Sequence, residues 1–131
     1  MVMVTMALLG GALPAYAELS FCPGLMKAVG PKLEGRDAVF VRSYEPAADE
    51  DALPLGLSTT AFVYDNALAA IALVACDRVD QARAIGNALV HAASHDRSFD
   101  DGRLRNAYRA GPVGAGASLL PGWWDDRKKI W

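Results

Sequence analysis

The feature that most constrains this fold is a run of ten residues, 67–76, that has no polar side chain on any face. The run reads ALAAIALVAC, and a helix that is apolar all round has to be surrounded by other protein. Before it stand Ser58, Thr59 and Thr60, all capable of capping a helix at its amino terminus. The pattern therefore predicts an inner helix from about Ser58 to Cys76.

A second helix is predicted from about Val79 to Ser94, and it is amphipathic. Its apolar residues recur at three- and four-residue spacing and form one stripe. The stripe consists of Val79, Ala82, Ile85, Gly86, Leu89, Val90 and Ala93. Only the turn Asp77–Asp80 separates the two helices, and so short a connection makes them antiparallel neighbours. The sequence thus predicts an αα-hairpin over residues 58–95, with an inner and an outer helix.

The rest of the chain does not supply enough cover for the inner helix. One outer helix covers one side only, and the remaining residues are rich in Gly and Pro. We expect a short helix at Leu25–Val29, an extended segment over Asp37–Tyr44, and an acidic loop over 45–57. The chain is therefore expected to be the amino-terminal portion of a larger helical fold.

The first 17 residues have the character of a secretion signal. They carry no charge, contain a short apolar core and end in Ala15-Tyr16-Ala17, which suits a signal peptidase. No basic residue precedes the core, and a buried amino-terminal helix is the alternative. We expect a signal peptide over 1–17, a domain over 18–131 and a secreted or periplasmic protein.

Two cysteines, Cys22 and Cys76, belong to the expected mature chain. In an oxidising compartment they can pair and tie the amino-terminal segment to the hairpin. Two separate thiols are equally compatible with the sequence, because nothing in it reports how far apart the two residues lie.

Charge and motifs narrow the range of functions. Thirteen basic against fifteen acidic side chains give no basic face for nucleic acid and no polybasic segment for a membrane surface. His91 and His95 have a zinc-compatible spacing, but no Glu follows His91 as in zinc-protease helices. The sequence has no phosphate-binding loop and no Cys-x-x-Cys, so no metal and no cofactor are predicted.

Three carboxylates are candidates for catalysis. Glycoside cleavage in most enzymes uses two carboxyl groups about 5 to 10 Å apart. Asp65 lies at the start of the inner helix, Asp101 lies in an Asp-Gly turn, and Asp125 follows two tryptophans. Asp65 is alternatively an acid that complements the helix dipole, and Asp101 is alternatively a turn residue paired with a nearby arginine.

Candidate binding residues surround these acids. Trp123 and Trp124 follow a Pro-Gly turn, and their flat rings suit the apolar face of a sugar. The alternative is that these rings pack onto further helices.

Over about residues 58 to 126 the chain resembles bacterial proteins of the six-hairpin glycosidase-like superfamily. The resemblance rests on Phe62-Val63-Tyr64-Asp65-Asn66-Ala67-Leu68-Ala69, Ala82-Arg83-Ala84-Ile85, Ala88-Leu89, Asp96-Arg97-Ser98-Phe99, Asp101-Gly102-Arg103-Leu104-Arg105-Asn106-Ala107-Tyr108 and Pro121-Gly122-Trp123-Trp124-Asp125. Such proteins fold as an (α/α)6 barrel of alternating inner and outer helices, with a cleft at one end.

The resemblance implies an all-α fold class, here one or more αα-hairpins of an incomplete (α/α)6 barrel with long loops. It puts Tyr64, Asp65 and Asn66 at the mouth of the cleft. It also makes Tyr64, Asn66, Arg103, Arg105, Asn106 and Tyr108 further candidates for contacts with the saccharide. It implies a carbohydrate-active protein, a glycoside hydrolase acting on a poly- or oligosaccharide, whose partners are the saccharide and the remainder of the barrel. The alternatives are a helical-repeat interaction or scaffold module, and a protein that binds saccharide without cleaving it.

Overall fold

The computed structural model describes residues 21–45, 53–96, 99–114 and 127–129, and these residues are mostly helical. The elements in chain order are α1 (Cys22–Leu33), β1 (Val39–Phe40), α2 (Leu55–Ser58), β2 (Thr60–Phe62), α3 (Val63–Ala75), α4 (Val79–His95), β3 (Ala107–Arg109) and β4 (Gly111–Pro112). The predicted helical class is confirmed, with small strand pairs added to it. Within the described ranges no helix is long and apolar enough to cross a membrane.

The helices α3 and α4 form the predicted hairpin and pack against each other. At the end of α3 the Arg78 N–H donates to the Leu73 carbonyl at 2.8 Å, and Asp77 adopts a left-handed conformation with φ 58°. This backbone pattern is a Schellman ending, which satisfies the last carbonyls of a helix and reverses the chain within a few residues. The turn is as tight as the sequence predicts.

The predicted start of the first helix is wrong. Helix α3 begins at Val63, its N-cap residue Phe62 makes no side-chain cap, and Thr60 lies in strand β2. Strand β2 pairs antiparallel with β3, with Thr60 opposite Arg109. These residues are extended because tertiary pairing with a distant segment satisfies their backbone groups, so a local cap is not needed.

The segment 107–113 contributes two strands, which were not predicted from the sequence. Strand β3 pairs with β2, and β4 pairs antiparallel with β1. Further backbone bonds extend both pairs, from Val113 to the Ala38 carbonyl and from Ala110 to the Thr59 carbonyl. The extended segment around Val39 is confirmed at its centre, and α2 lies within the predicted 45–57 loop and ends just beyond it.

Helix α1 is longer than the predicted helix at Leu25–Val29. It continues through Pro31, which lies in the last turn, and ends before Gly35 at φ 63°. A disulfide joins Cys22 to Cys76 with their Cα atoms 5.7 Å apart, and it ties the start of α1 to the end of α3. Of the two alternatives left open by the sequence, the structure has the pair.

The core consists of two adjoining groups of buried residues. Leu73 of α3 and Ile85 of α4 are fully buried and pack with residues of α1 and with Val39. Phe40 and Tyr108 stack with ring centroids 5.1 Å apart, and they pack against the small residues of α4. The core therefore lies between the hairpin, α1 and the strands.

Helix α3 is covered on one side only by the described residues. The side chains of Leu68, Ile71 and Val74 are 47, 66 and 57% exposed. The expectation that this helix is surrounded is therefore not met within residues 21–45, 53–96, 99–114 and 127–129. The expected signal peptide, residues 1–17, lies outside the described part of the chain.

Candidate functional site

The structure brings the start of α3 next to the loop that precedes β3. The Val63 N–H donates to the Asn106 carbonyl at 3.0 Å, and Phe62 pairs with Ala107. Tyr64 and Asp65 follow directly in the first turn of α3. Candidate residues that lie about 40 positions apart in the sequence thus share one end of the hairpin.

Tyr64 and Asp65 differ in exposure. The Tyr64 side chain is 69% exposed, so one of its faces is open to contact with a ligand. Asp65 is partly buried, and its position in the first turn lets a carboxylate complement the partial positive charge of the helix start. Both predicted roles of Asp65, catalytic acid and dipole partner, are compatible with this position.

Asn66 has a structural task here. Its side-chain oxygen accepts from the Val41 N–H at 2.8 Å, and its amide donates to the carbonyls of Val41 at 2.9 Å and Phe62 at 3.0 Å. The residue is 1% exposed. Because both amide protons are engaged with backbone, Asn66 fixes the start of α3 against the chain after β1. Its side chain is buried and bonded to backbone, so in this arrangement it has no exposed surface for the predicted saccharide contact.

Asp101 forms a tight pair with Arg103. The Arg103 Nε lies 2.9 and 2.8 Å from the two carboxylate oxygens, and both residues are exposed. Hydrogen bonds from Arg103 hold the pKa of the Asp101 carboxyl below its ordinary value. An ionised carboxylate suits a base or a nucleophile better than a proton donor. The Arg103 guanidinium also stands over the Phe99 ring, 4.8 Å from its centroid.

Arg105 and Tyr108 belong to a buried network around Asp96. The Asp96 side chain is 1% exposed and receives the Arg105 Nε at 2.6 Å and Nη2 at 2.9 Å. The Tyr108 hydroxyl donates to Asp96 at 3.3 Å and accepts from the Arg105 N–H at 3.1 Å. Burial raises the pKa of the Tyr108 hydroxyl, so it stays protonated at neutral pH.

This network was not predicted, and it gives two of the candidate binding residues, Arg105 and Tyr108, a structural role. The Tyr108 ring has no exposed surface and stacks on Phe40, so it packs in the core and offers no platform to a sugar. Arg105 is one quarter exposed and holds Asp96. The nine-residue separation between Asp96 and Arg105 follows no helical or strand period, so the sequence carries no signal for this pairing.

His91 and His95 stack on helix α4 with their ring centroids 4.2 Å apart. Burial and the neighbouring His95 lower the pKa of His91 below its ordinary value. Within the described ranges, no group of three or more His, Cys, Asp and Glu side chains is arranged to hold a metal ion.

Three candidates, Trp123, Trp124 and Asp125, lie outside the described residues and stay predictions. Comparison of the chain with protein-family profiles, with curated proteins and with solved structures finds no match.

Proposed function

We propose that this chain is part of a secreted or periplasmic carbohydrate-active protein, a glycoside hydrolase built on an (α/α)6 barrel of the six-hairpin glycosidase-like kind. The described residues supply one helical hairpin, α3 and α4, together with α1 and the strands. The proposal rests on the resemblance over residues 58–126 and on one structural observation, the uncovered apolar side of α3.

That observation concerns how α3 is packed. Its Leu73 side is fully buried against the rest of the chain, while Leu68, Ile71 and Val74 are about half exposed or more. Exposed apolar area of this extent is unfavourable in water, by roughly 25 cal/mol for each Å². An inner helix of a barrel has neighbours on opposite sides. The apolar residues on the Leu73 side and on the Ile71 side of α3 therefore fit an inner helix.

The start of α3 supports the assignment of the catalytic end. Asp65 lies in the first turn, beside the exposed Tyr64 and next to the loop that carries Asn106. Asp101 belongs to the same loop region and is held ionised by Arg103. In the proposed mechanism Asp65 is the acid, and Asp101 or Asp125 is the base or nucleophile.

The disulfide supports the proposed location. A bond between Cys22 and Cys76 persists in oxidising surroundings such as the periplasm or the outside of the cell. Removal of a signal peptide at about Ala17 would leave Cys22 close to the new amino terminus.

The decisive experiment is the substitution Asp65→Asn in the natural protein. The variant is assayed on a panel of poly- and oligosaccharides. We expect turnover to fall by about 10² to 10⁴-fold while binding survives, as for loss of an acid–base group. The control is Asp80→Asn, which removes the equivalent first-turn acid of α4. If both variants keep the activity of the wild type, Asp65 is a dipole partner and its catalytic role is refuted.

The same uncovered face favours a second candidate function, an interaction or scaffold module. Ile71, Val74 and Val79 line an almost wholly apolar cleft of about 320 Å³ between α3 and α4. A helix from another protein can dock on such a surface. If the natural full-length protein turns over none of the saccharides but binds one, it is a non-catalytic saccharide-binding protein. If it neither cleaves nor binds them, the scaffold alternative is favoured.

A further inference from the structure

Two clefts adjoin each other: the first lies between the end of α1 and the β1–β4 pair, and the second lies between the segment after α1, helix α4 and the segment that follows β4. The first is about 270 Å³, and three basic residues, Lys32, Arg36 and Arg42, line it. The second is about 620 Å³ and shares Arg36 and Pro112 with the first. Together the two clefts reach the size of ordinary small-molecule sites.

Two of the basic residues that line the first cleft, Lys32 and Arg42, pair with one carboxylate, that of Glu45. One of its oxygens pairs with the Lys32 ammonium, and the other lies 2.7 Å from the Arg42 guanidinium. The hydrogen bond from Lys32 and the neighbouring Arg42 keep the pKa of Glu45 below its ordinary value. The two basic groups are therefore spaced to accept a carboxylate between them.

Glu45 is a replaceable occupant. Its side chain is 44% exposed, and exposed ion pairs contribute little to stability. A ligand carboxylate that enters the cleft can take its place on Lys32 and Arg42, because the displaced Glu45 side chain is hydrated again in solvent.

Arg36 is the third basic group and has no partner for its guanidinium among the described residues. It follows Gly35, whose φ of 63° ends α1 and turns the chain toward the strands. A guanidinium presents parallel N–H donors that match a carboxylate. The floor beneath it consists of the buried residues Val39, Phe40 and Val41.

The charge of the first cleft contrasts with that of the whole chain. The chain carries a formal net charge of −2, whereas the first cleft has three basic groups and Glu45 as the acid that pairs with two of them. The second cleft adds Asp37, together with the polar side chains of Asn87, Ser94, His91 and His95. It can accept hydroxyl groups next to the charged position.

We propose that these adjoining clefts bind a saccharide that carries carboxylate groups. Arg36 receives one carboxylate, and Lys32 and Arg42 receive another, or the same one, when Glu45 swings out. The saccharide part of this inference rests on the proposed function, whereas the preference for an acidic ligand rests on the cleft alone.

The test is titration of the natural mature protein, isotope-labelled and followed by NMR at pH 7.5 and low ionic strength, with a trimer of galacturonic acid and with the uncharged galactose trimer. We expect tighter binding of the acidic trimer, with shifts at residues 32–42 and 110–113. Arg36→Gln should weaken this binding by about tenfold, the range for loss of one charge-assisted hydrogen-bonded pair. Glu45→Gln should strengthen it, because the competing carboxylate is gone.

Matched controls come from the exposed pair on α4, Asp80 and Arg83. Arg83→Gln changes the net charge as Arg36→Gln does, and Asp80→Asn changes it as Glu45→Gln does. If each control shifts the affinity as much as its counterpart, the binding reflects overall charge and the proposed site is refuted.

Other outcomes separate this inference from the proposed function. Equal binding of both trimers would overturn the acidic preference and leave saccharide binding intact. Binding of phosphate at Arg36 as tight as that of the acidic trimer would overturn the saccharide assignment. If neither trimer binds, both the inference and saccharide binding by this chain fail.

Discussion

Helices α3 and α4 pack against each other, but they differ in how many of their apolar residues are buried. Helix α4 turns Arg83 and Asn87 to solvent and buries one face, formed by Ala82, Ala84, Ile85, Ala88 and Ala92. This face differs in part from the predicted stripe, because Val79 and Val90 are 48 and 67% exposed. Helix α3 is the more apolar of the two, but only Asn66 and Leu73 are fully buried in it.

The two helices need different amounts of cover by other parts of the protein. An amphipathic helix needs cover on one side, and α4 finds that cover within this chain. A helix that is apolar all round needs cover on several sides, and the described residues give α3 one. Several apolar residues of α3 thus stay exposed among the described residues, and further helices of the proposed barrel would bury them.

The largest expected loss of stability comes from removing the disulfide that ties the end of α3 to α1. The double substitution Cys22→Ser and Cys76→Ser opens a bond that spans 54 residues. Loop-closure entropy for that span predicts a loss of about 4 kcal/mol in the free energy of unfolding. Urea denaturation of the oxidised wild type and the variant measures the loss. Wild type unfolded in a thiol reductant is the control and should match the variant.

A comparison of the two sides of α3 gives the next largest effect. Leu73→Ala empties a fully buried position and should cost about 3 kcal/mol, since core leucines cost about 2 to 5. Ile71→Ala, two residues away on the same helix, should cost less than about 0.5 kcal/mol, because Ile71 is 66% exposed. Thermal and urea unfolding measure both. Similar losses for the two variants would mean that the Ile71 side is also covered in solution.

The smallest expected effect concerns His91 on helix α4. Burial and the neighbouring His95 lower the pKa of His91, so at pH values near 6 the unfolded chain binds more protons than the folded one. Stability from this group is therefore fully present above the unfolded pKa of about 6.5 and is lost as the pH falls through the lower folded value. We expect a modest drop in melting temperature from pH 7.5 to 5 that His91→Gln reduces.

The sequence also determined part of the candidate site. The apolar run after Tyr64 and Asp65 put these two residues at the start of a helix, and the structure has them there. It did not reveal that Asn66 binds the backbone of Val41, 25 positions earlier, or that Tyr108 is a core residue. Each of these contacts joins residues far apart in the chain, and no local period signals such a pair.

The sequence alone was sufficient for the hairpin and for the tight turn at Asp77, since both follow from periodicity and neighbouring residues. Tertiary structure decided the pairing of Cys22 with Cys76, the strands that replaced a cap at Thr60, and the burial of Asp96 under Arg105. The physical reason is that backbone groups, thiols and charges accept any partner of suitable chemistry, so their choice depends on which segments the packed helices bring together.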